Sequence, residues 1–377
     1  MAVNIHNSIF VLLVCFFTCV ESFSIRAAVY QTICHPSSDT SLENPLAILT
    51  QVADSLRVAS LHGIDVVIYP ELFLTGGHSS QQSAIDRQDT KFNIIGNICE
   101  ELNVSCIIGY AESIHESELK STSNIDDDKQ AFNSIMTFNA DGSRAGNYRS
   151  ISKQDFSRSG HAFVESTPML LQLPNRDTSN GEDREREIKV GLMCGGDVSC
   201  PQHCMNLVSS GAQILVASTS FTKPDTRVVE CVLPTRALEN QVPFLFANYE
   251  SQEEKINEGD LEFRGSSAII SKDGEYLVRA PQHEGGIMPS DCGYLIPCDE
   301  VGTLYAADIN VESTSNTESN DQWELKARMP DELLGQQSNK KQAIGFGNVG
   351  SSSKRKRQRS WNYIWLDNRM YLTLSYD

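Results

Sequence analysis

Apolar residues in this chain follow two rhythms. Short unbroken runs recur at Ile25 to Gln31, Ile64 to Tyr69, Val104 to Tyr110, Ile188 to Met193 and Ile214 to Ala217. Runs of this length, rich in β-branched residues, predict buried strands. Between them the spacing changes. Leu46, Leu49, Ala53, Leu56 and Ser60 repeat at helical intervals until Gly63 stops them, and Phe92, Ile95 and Cys99 predict a second helix. Ser134 to Phe138 and Ala145 to Tyr148 flank Asp141-Gly142, a hairpin turn signal. Val228 to Gln241 predicts a helix whose Pro234 either kinks it or marks its true start. Pro243 to Asn248, Ser266 to Ser271, Tyr276 to Ala280 and Thr303 to Asp308 predict further strands, with a turn at Asp273-Gly274. This alternation over residues 24–310 predicts one α/β domain. From 311 to 377 the composition turns to Ser, Thr, Asn and Glu, which predicts a polar, partly disordered tail.

The ends and the charge narrow the picture. Ile9 to Val20 is apolar but too short to span a bilayer. With Ser22 behind it, it resembles the apolar core of a secretory signal, although no Lys or Arg precedes it. Residues 1–23 are therefore expected to be a leader that sends the protein to the secretory pathway or outside the cell. The net charge of −18 argues against a nucleic-acid or anionic-membrane surface. The basic run at residues 354–359 is expected to be part of a solvated tail. Of the 11 cysteines, Cys15 and Cys19 lie in the leader, and Cys34, Cys99, Cys106 and Cys231 read as packing residues. Cys292 and Cys298 flank an expected loop and suit a disulfide in an oxidising compartment. No regular metal-ligand spacing occurs, and no cofactor is expected.

One stretch carries candidate chemistry. Cys194 ends an apolar run and is followed by Gly195-Gly196, with Pro201 positioned to open a helix. A cysteine on a tight strand-to-helix turn suits a nucleophile whose oxyanion faces backbone N–H groups. The other reading is a buried thiol that packs like any small apolar side chain.

Pro70-Glu71-Leu72-Phe73 with Thr75-Gly76, Tyr148-Arg149, Gly191 to Asp197, Arg236 to Gln241 with Asn248, Phe263 to Ser267 and Lys272-Asp273-Gly274 form an ordered set. In order and spacing this set resembles the nitrilase superfamily of carbon–nitrogen hydrolases, over about residues 25–310. The resemblance implies a four-layer αββα sandwich, usually a dimer paired through its outer helices. It implies a small amide or nitrile substrate attacked by a Cys thiolate, with a Glu as base and a Lys stabilising the oxyanion. The matching residues are Glu71, Lys153 and Cys194. Two of them depart from the pattern: Ser150 holds the ungapped lysine position, and Gly195 holds the ungapped cysteine position. Cys200-Pro201-Gln202 also drifts from the family's Phe-Pro-Glu. Two expectations follow: a working hydrolase, or a catalytically impaired relative acting as a binding or dimeric interaction module.

Overall fold

Ser22–Ile33 forms the first strand, β1, and its alternation sets the layering of the domain. Ile25, Ala27 and Val29 join one buried apolar cluster, while Ala28 and Tyr30 join another on the opposite face. The computed structural model describes residues 22–33, 45–77, 83–113, 131–151, 167–174, 186–251, 262–281, 293–298 and 302–312, with the backbone of 359–366 and 369–376.

β1 lies inside a mixed sheet. Its strand order is β13 (Gly293–Pro297), β14 (Gly302–Glu312), β1, β2 (Val66–Ile68), β3 (Ser105–Ser113), β4 (Ala131–Phe138) and β5 (Arg144–Arg149). The two-residue β10 (Tyr249–Glu250) pairs beside β1. A second sheet runs β12 (Tyr276–Arg279), β11 (Ala268–Ile270), β9 (Phe244–Ala247), β8 (Ile214–Ser218), β7 (Arg186–Cys194) and β6 (Met169–Leu173). In each sheet the inner trio is parallel: β1, β2 and β3 in the first, β7, β8 and β9 in the second. Antiparallel strands flank both trios.

Strands buried on both faces must be apolar throughout, and this is why their sequences read as continuous runs. The inner faces meet through Val29, Ile68 and Ile107 from one sheet and Val190, Leu192, Val216 and Leu245 from the other. Outside the first sheet lie α1 (Pro45–Leu61) and α2 (Thr90–Leu102), which bury Val52, Leu56, Phe92 and Ile95 against Tyr69 and Tyr110. Outside the second lie α3 (Pro201–Ser209) and α4 (Leu233–Asn240), burying Cys204, Leu207, Leu233 and Ala237 against Leu215 and Phe246. Each such large apolar side chain contributes about 1.5–3 kcal/mol on burial. The result is the expected αββα sandwich.

Several local expectations are corrected. Pro234 sits in the first turn of α4, where its missing N–H costs no helical bond, and a wider π-type turn at Val228–Val232 precedes it. Cys231 lies in that turn and is exposed, not packed. The edge strands β6 and β13 were not expected. Among the described residues each has a single strand neighbour and leaves an apolar side chain, Leu170 or Leu295, about half exposed, so their patterns are weak. β13 also replaces the loop expected before Cys298. Lys153, Cys34, Cys292, residues 1–21 of the expected leader and residues 354–358 lie outside the described residues, while Ser22 and Phe23 already belong to β1.

The C-terminal residues, 318–377, form a separate unit. Its backbone holds an antiparallel pair, β15 (Arg359–Leu366) and β16 (Arg369–Tyr376), with Trp361 opposite Leu374 and Tyr363 opposite Leu372. The composition had suggested a polar, partly disordered tail there.

Candidate functional site

The C-terminal ends of β2, β7 and β8 lie side by side, and the polar residues that follow them converge. Glu71 comes first. Pro70 ends the buried run, and the chain then bends through Leu72, whose φ of 56° is left-handed, into a short turn at Phe73–Thr75. Gly109 on β3 makes this bend fit: a methyl group there would lie 2.5 Å from the Pro70 carbonyl oxygen and 3.0 Å from the Glu71 Cα. The bend is also tied to the second sheet. Ser218 Oγ donates to the Tyr69 carbonyl at 2.9 Å, and the Glu71 N–H donates to the Thr219 carbonyl at 3.3 Å.

Glu71 keeps partial contact with solvent at the residue level. Its carboxylate accepts from Asn133 Nδ2 on β4, from Ser220 Oγ at 2.5 Å and from the Ser220 backbone N–H. Burial outweighs these donors and pushes the carboxyl from 4.5 up to about 7, with the nearby Asp197 charge adding to the rise.

The turn after β7 brings the second group. Cys194 has extended backbone, and its side chain continues the inward series of Ile188, Val190 and Leu192 into the apolar layer between the sheets, where it is fully buried. Gly195 follows with φ of 40°, and it is this residue that faces Glu71. A methyl group on Gly195 would lie 2.8 Å and 2.9 Å from the two Glu71 carboxylate oxygens. The Glu71 side chain thus occupies the space into which a side chain at position 195 would project.

Asp197 holds this turn. Its Oδ2 accepts from the Cys194 N–H at 2.9 Å and from Tyr148 OH at 2.8 Å; its Oδ1 accepts from Ser150 Oγ at 2.9 Å and the Ile151 N–H at 3.1 Å. Burial raises the Asp197 carboxyl against these donors. Behind it, His203 Nε2 lies 3.1 Å from Tyr148 OH, and burial lowers the imidazole. Since the Tyr148 hydroxyl donates to Asp197, the contact with His203 is satisfied by a proton on Nε2.

A second buried carboxylate, Glu112, fixes the β3–β4–β5 side. It pairs with Arg149 at 2.6 Å and Arg87 at 2.7 Å, and accepts from Ser134 and Asn147. Burial alone would raise its carboxyl; the Arg149, Ser134 and Asn147 hydrogen bonds hold it below its usual range.

Glu71 and Gly195 are thus brought together, Ser150 is bound to Asp197, and Cys194 is turned into the core. Asn133, Ser220 and the gathering role of Asp197 were not anticipated. The polar triplet Ser218-Thr219-Ser220, directly behind an apolar strand, was the available signal for Ser220. Among the described residues no group of three or more His, Cys, Asp or Glu side chains could hold a metal ion, and no helix there is long and apolar enough to cross a membrane.

The sequence profile of carbon–nitrogen hydrolases matches residues 26–293. A hydrolase encoded in the 5′ region of pqqF in Pseudomonas protegens is 26% identical over 274 residues, covering 70% of this chain and 82% of its own. A probable nitrilase of Schizosaccharomyces pombe is 25% identical over 244 residues, covering 64% and 78%. Among solved structures, an amidase from Nesterenkonia sp. superposes with a TM-score of 0.53 at 19% identity, over 83% of this chain and 96% of its own.

Proposed function

Starting from a chain that belongs to the carbon–nitrogen hydrolase family, we propose that it binds the nitrogen-bearing head of a small ligand at Glu71 without attacking it through a cysteine. One observation carries this reading: Gly195 stands against Glu71, and the adjacent Cys194 is buried between the sheets. A nucleophilic cysteine needs a thiolate that substrate can reach, whereas a thiol in apolar surroundings is inert. Binding without the thiol has support from a related fold. A cysteine-to-alanine mutant of the Nesterenkonia amidase was solved in complex with butyramide.

The test is a pair of measurements on the full chain. The first is ammonia release from a panel of short amides and nitriles; the second is the thermal shift produced by the same compounds. No turnover, together with a shift that Glu71→Ala removes, is the expected result. Turnover that Cys194→Ala abolishes would overturn the reading.

The rise of Glu71 to about 7 favours a second reading, since a base near neutrality suits proton transfer. In it the protein is an amide or nitrile hydrolase, with Glu71 as base, Lys153 on the oxyanion and Cys194 as nucleophile. Substrate protection of Cys194 from iodoacetamide would support it. Pairing into a dimer through the outer helices is a further part of the proposal. Met205 on α3 and Leu238 on α4 are about half exposed, which favours such pairing, and sedimentation would measure it.

A further inference from the structure

We infer that the Glu71 pocket prefers a primary ammonium group, so that small protonated amines are its better ligands, ahead of neutral amides. This rests on the reading that the pocket binds without cysteine attack.

The unfilled hydrogen-bonding positions carry the argument. An ionised carboxylate offers about four acceptor positions, and Glu71 has three filled, by Asn133 Nδ2, Ser220 Oγ and the Ser220 N–H. The Asn133 amide oxygen, Oδ1, is buried and has no hydrogen-bond partner among the described residues. A carbonyl oxygen has two lone pairs. Among the described residues the pocket therefore lacks about three donors, and a primary ammonium supplies three. Because Oδ1 and Nδ2 of Asn133 branch from one carbon, a group touching Glu71 Oε1 is also within reach of Oδ1. A buried acceptor left unfilled in a folded protein calls for an explanation, and an absent ligand provides one.

A neutral amide fits less well. Its NH2 supplies two donors, and its carbonyl brings an acceptor that needs a donor of its own. The charge points the same way. Asp197 adds negative potential at Glu71. Ser150, at the ungapped lysine position, donates to Asp197. Gly195 removes the side chain that would otherwise crowd the carboxylate. Solvent reaches this region, since Glu71, Asn133 and Ser220 are each partly exposed and Gly196 is exposed.

Isothermal titration of the full chain with ethylammonium, propionamide and tetramethylammonium chloride, at matched ionic strength, tests the inference. Ethylammonium should bind at least tenfold more tightly than propionamide. Tetramethylammonium, a cation without N–H donors, should not bind. Glu71→Gln and Asn133→Ala should each weaken ethylammonium at least tenfold. The comparison among ligands on the unaltered protein stands even if a variant fails to fold. Propionamide binding as well as ethylammonium, or tetramethylammonium binding equally, would overturn the ammonium inference and leave the binding reading intact. Binding of none of the three would overturn both. Ethylammonium binding that appears only in Lys153→Met would show that the chain's own lysine fills the position, and would also overturn the inference.

Discussion

Replacing Glu71 with glutamine should change how the stability of this protein depends on pH. The Glu71 carboxyl is carried from 4.5 to about 7, chiefly by burial. Between those values the folded chain holds a proton that the unfolded chain has released. Stability from this group is therefore fully present below pH 4.5 and is lost as pH rises through 7. The interval of 2.5 corresponds to about 3 kcal/mol at most, at 1.36 kcal/mol per pH unit. Residual solvent contact at Glu71 brings the expected loss to about 2 kcal/mol. The glutamine side chain of the Glu71→Gln variant would be neutral throughout. Its amide oxygen can accept from Asn133, and its NH2 can donate to Ser220 Oγ. Urea unfolding of both proteins at steps from about pH 4.5 to 8 isolates the effect, because groups common to both cancel in the difference. Wild type should lose about 2 kcal/mol relative to Glu71→Gln over that range. A flat difference, or one in which wild type gains stability as pH rises, would refute the account of Glu71 as a buried and poorly compensated carboxylate.

Cys194→Ala should lower stability by about 1 kcal/mol through lost packing, and Cys194 should react with iodoacetamide only in denaturant, while the exposed Cys200 and Cys231 label in the folded protein; urea unfolding reads the first and peptide mass mapping the second. Gly109→Ala should cost about 1–3 kcal/mol, because its methyl group meets backbone 2.5 Å away and the bend carrying Glu71 has to move. Urea unfolding of that variant should show the loss, and an unchanged midpoint would count against the close approach. Export is proposed from the apolar run Ile9 to Val20, so protein from its source should begin near residues 22–25 by N-terminal sequencing; a cytosolic chain retaining Met1 would end that proposal.

The buried strands were readable because two-sided burial leaves no polar positions, and β1, β3, β7 and β8 appear as runs for that reason. β6 and β13 were not readable: an edge strand pairs on one side, and its mixed pattern is that of a loop. The position of Glu71 at a strand end was also visible, since Pro70 closes a run of buried residues. Its partners were not. Asn133 reaches Glu71 from a strand 62 residues away and Ser220 from a turn 149 residues away, and neither has a local signature. The raised carboxyl of Glu71 depends on that convergence and on the depth of the pocket, neither of which a linear pattern contains.

Cys194 shows how one position in the alternation decides which side of a sheet a group serves. β7 sends Ile188, Val190, Leu192 and Cys194 inward and Met193 outward toward α3. A one-residue offset at the end of such a strand is a change of face, not a small displacement. Gly195 offers no side chain of its own, and its left-handed φ makes any side chain there strained. The surrounding frame does not depend on a side chain at 195. Asp197 holds the turn through two backbone N–H groups and two hydroxyls, and Glu112 holds the opposite wall through Arg87 and Arg149. Both networks are closed without any group at position 195. A pocket framed in this way keeps its shape and its acidic floor whatever stands at position 195, and those are the features that the proposed binding of a small nitrogenous ligand requires.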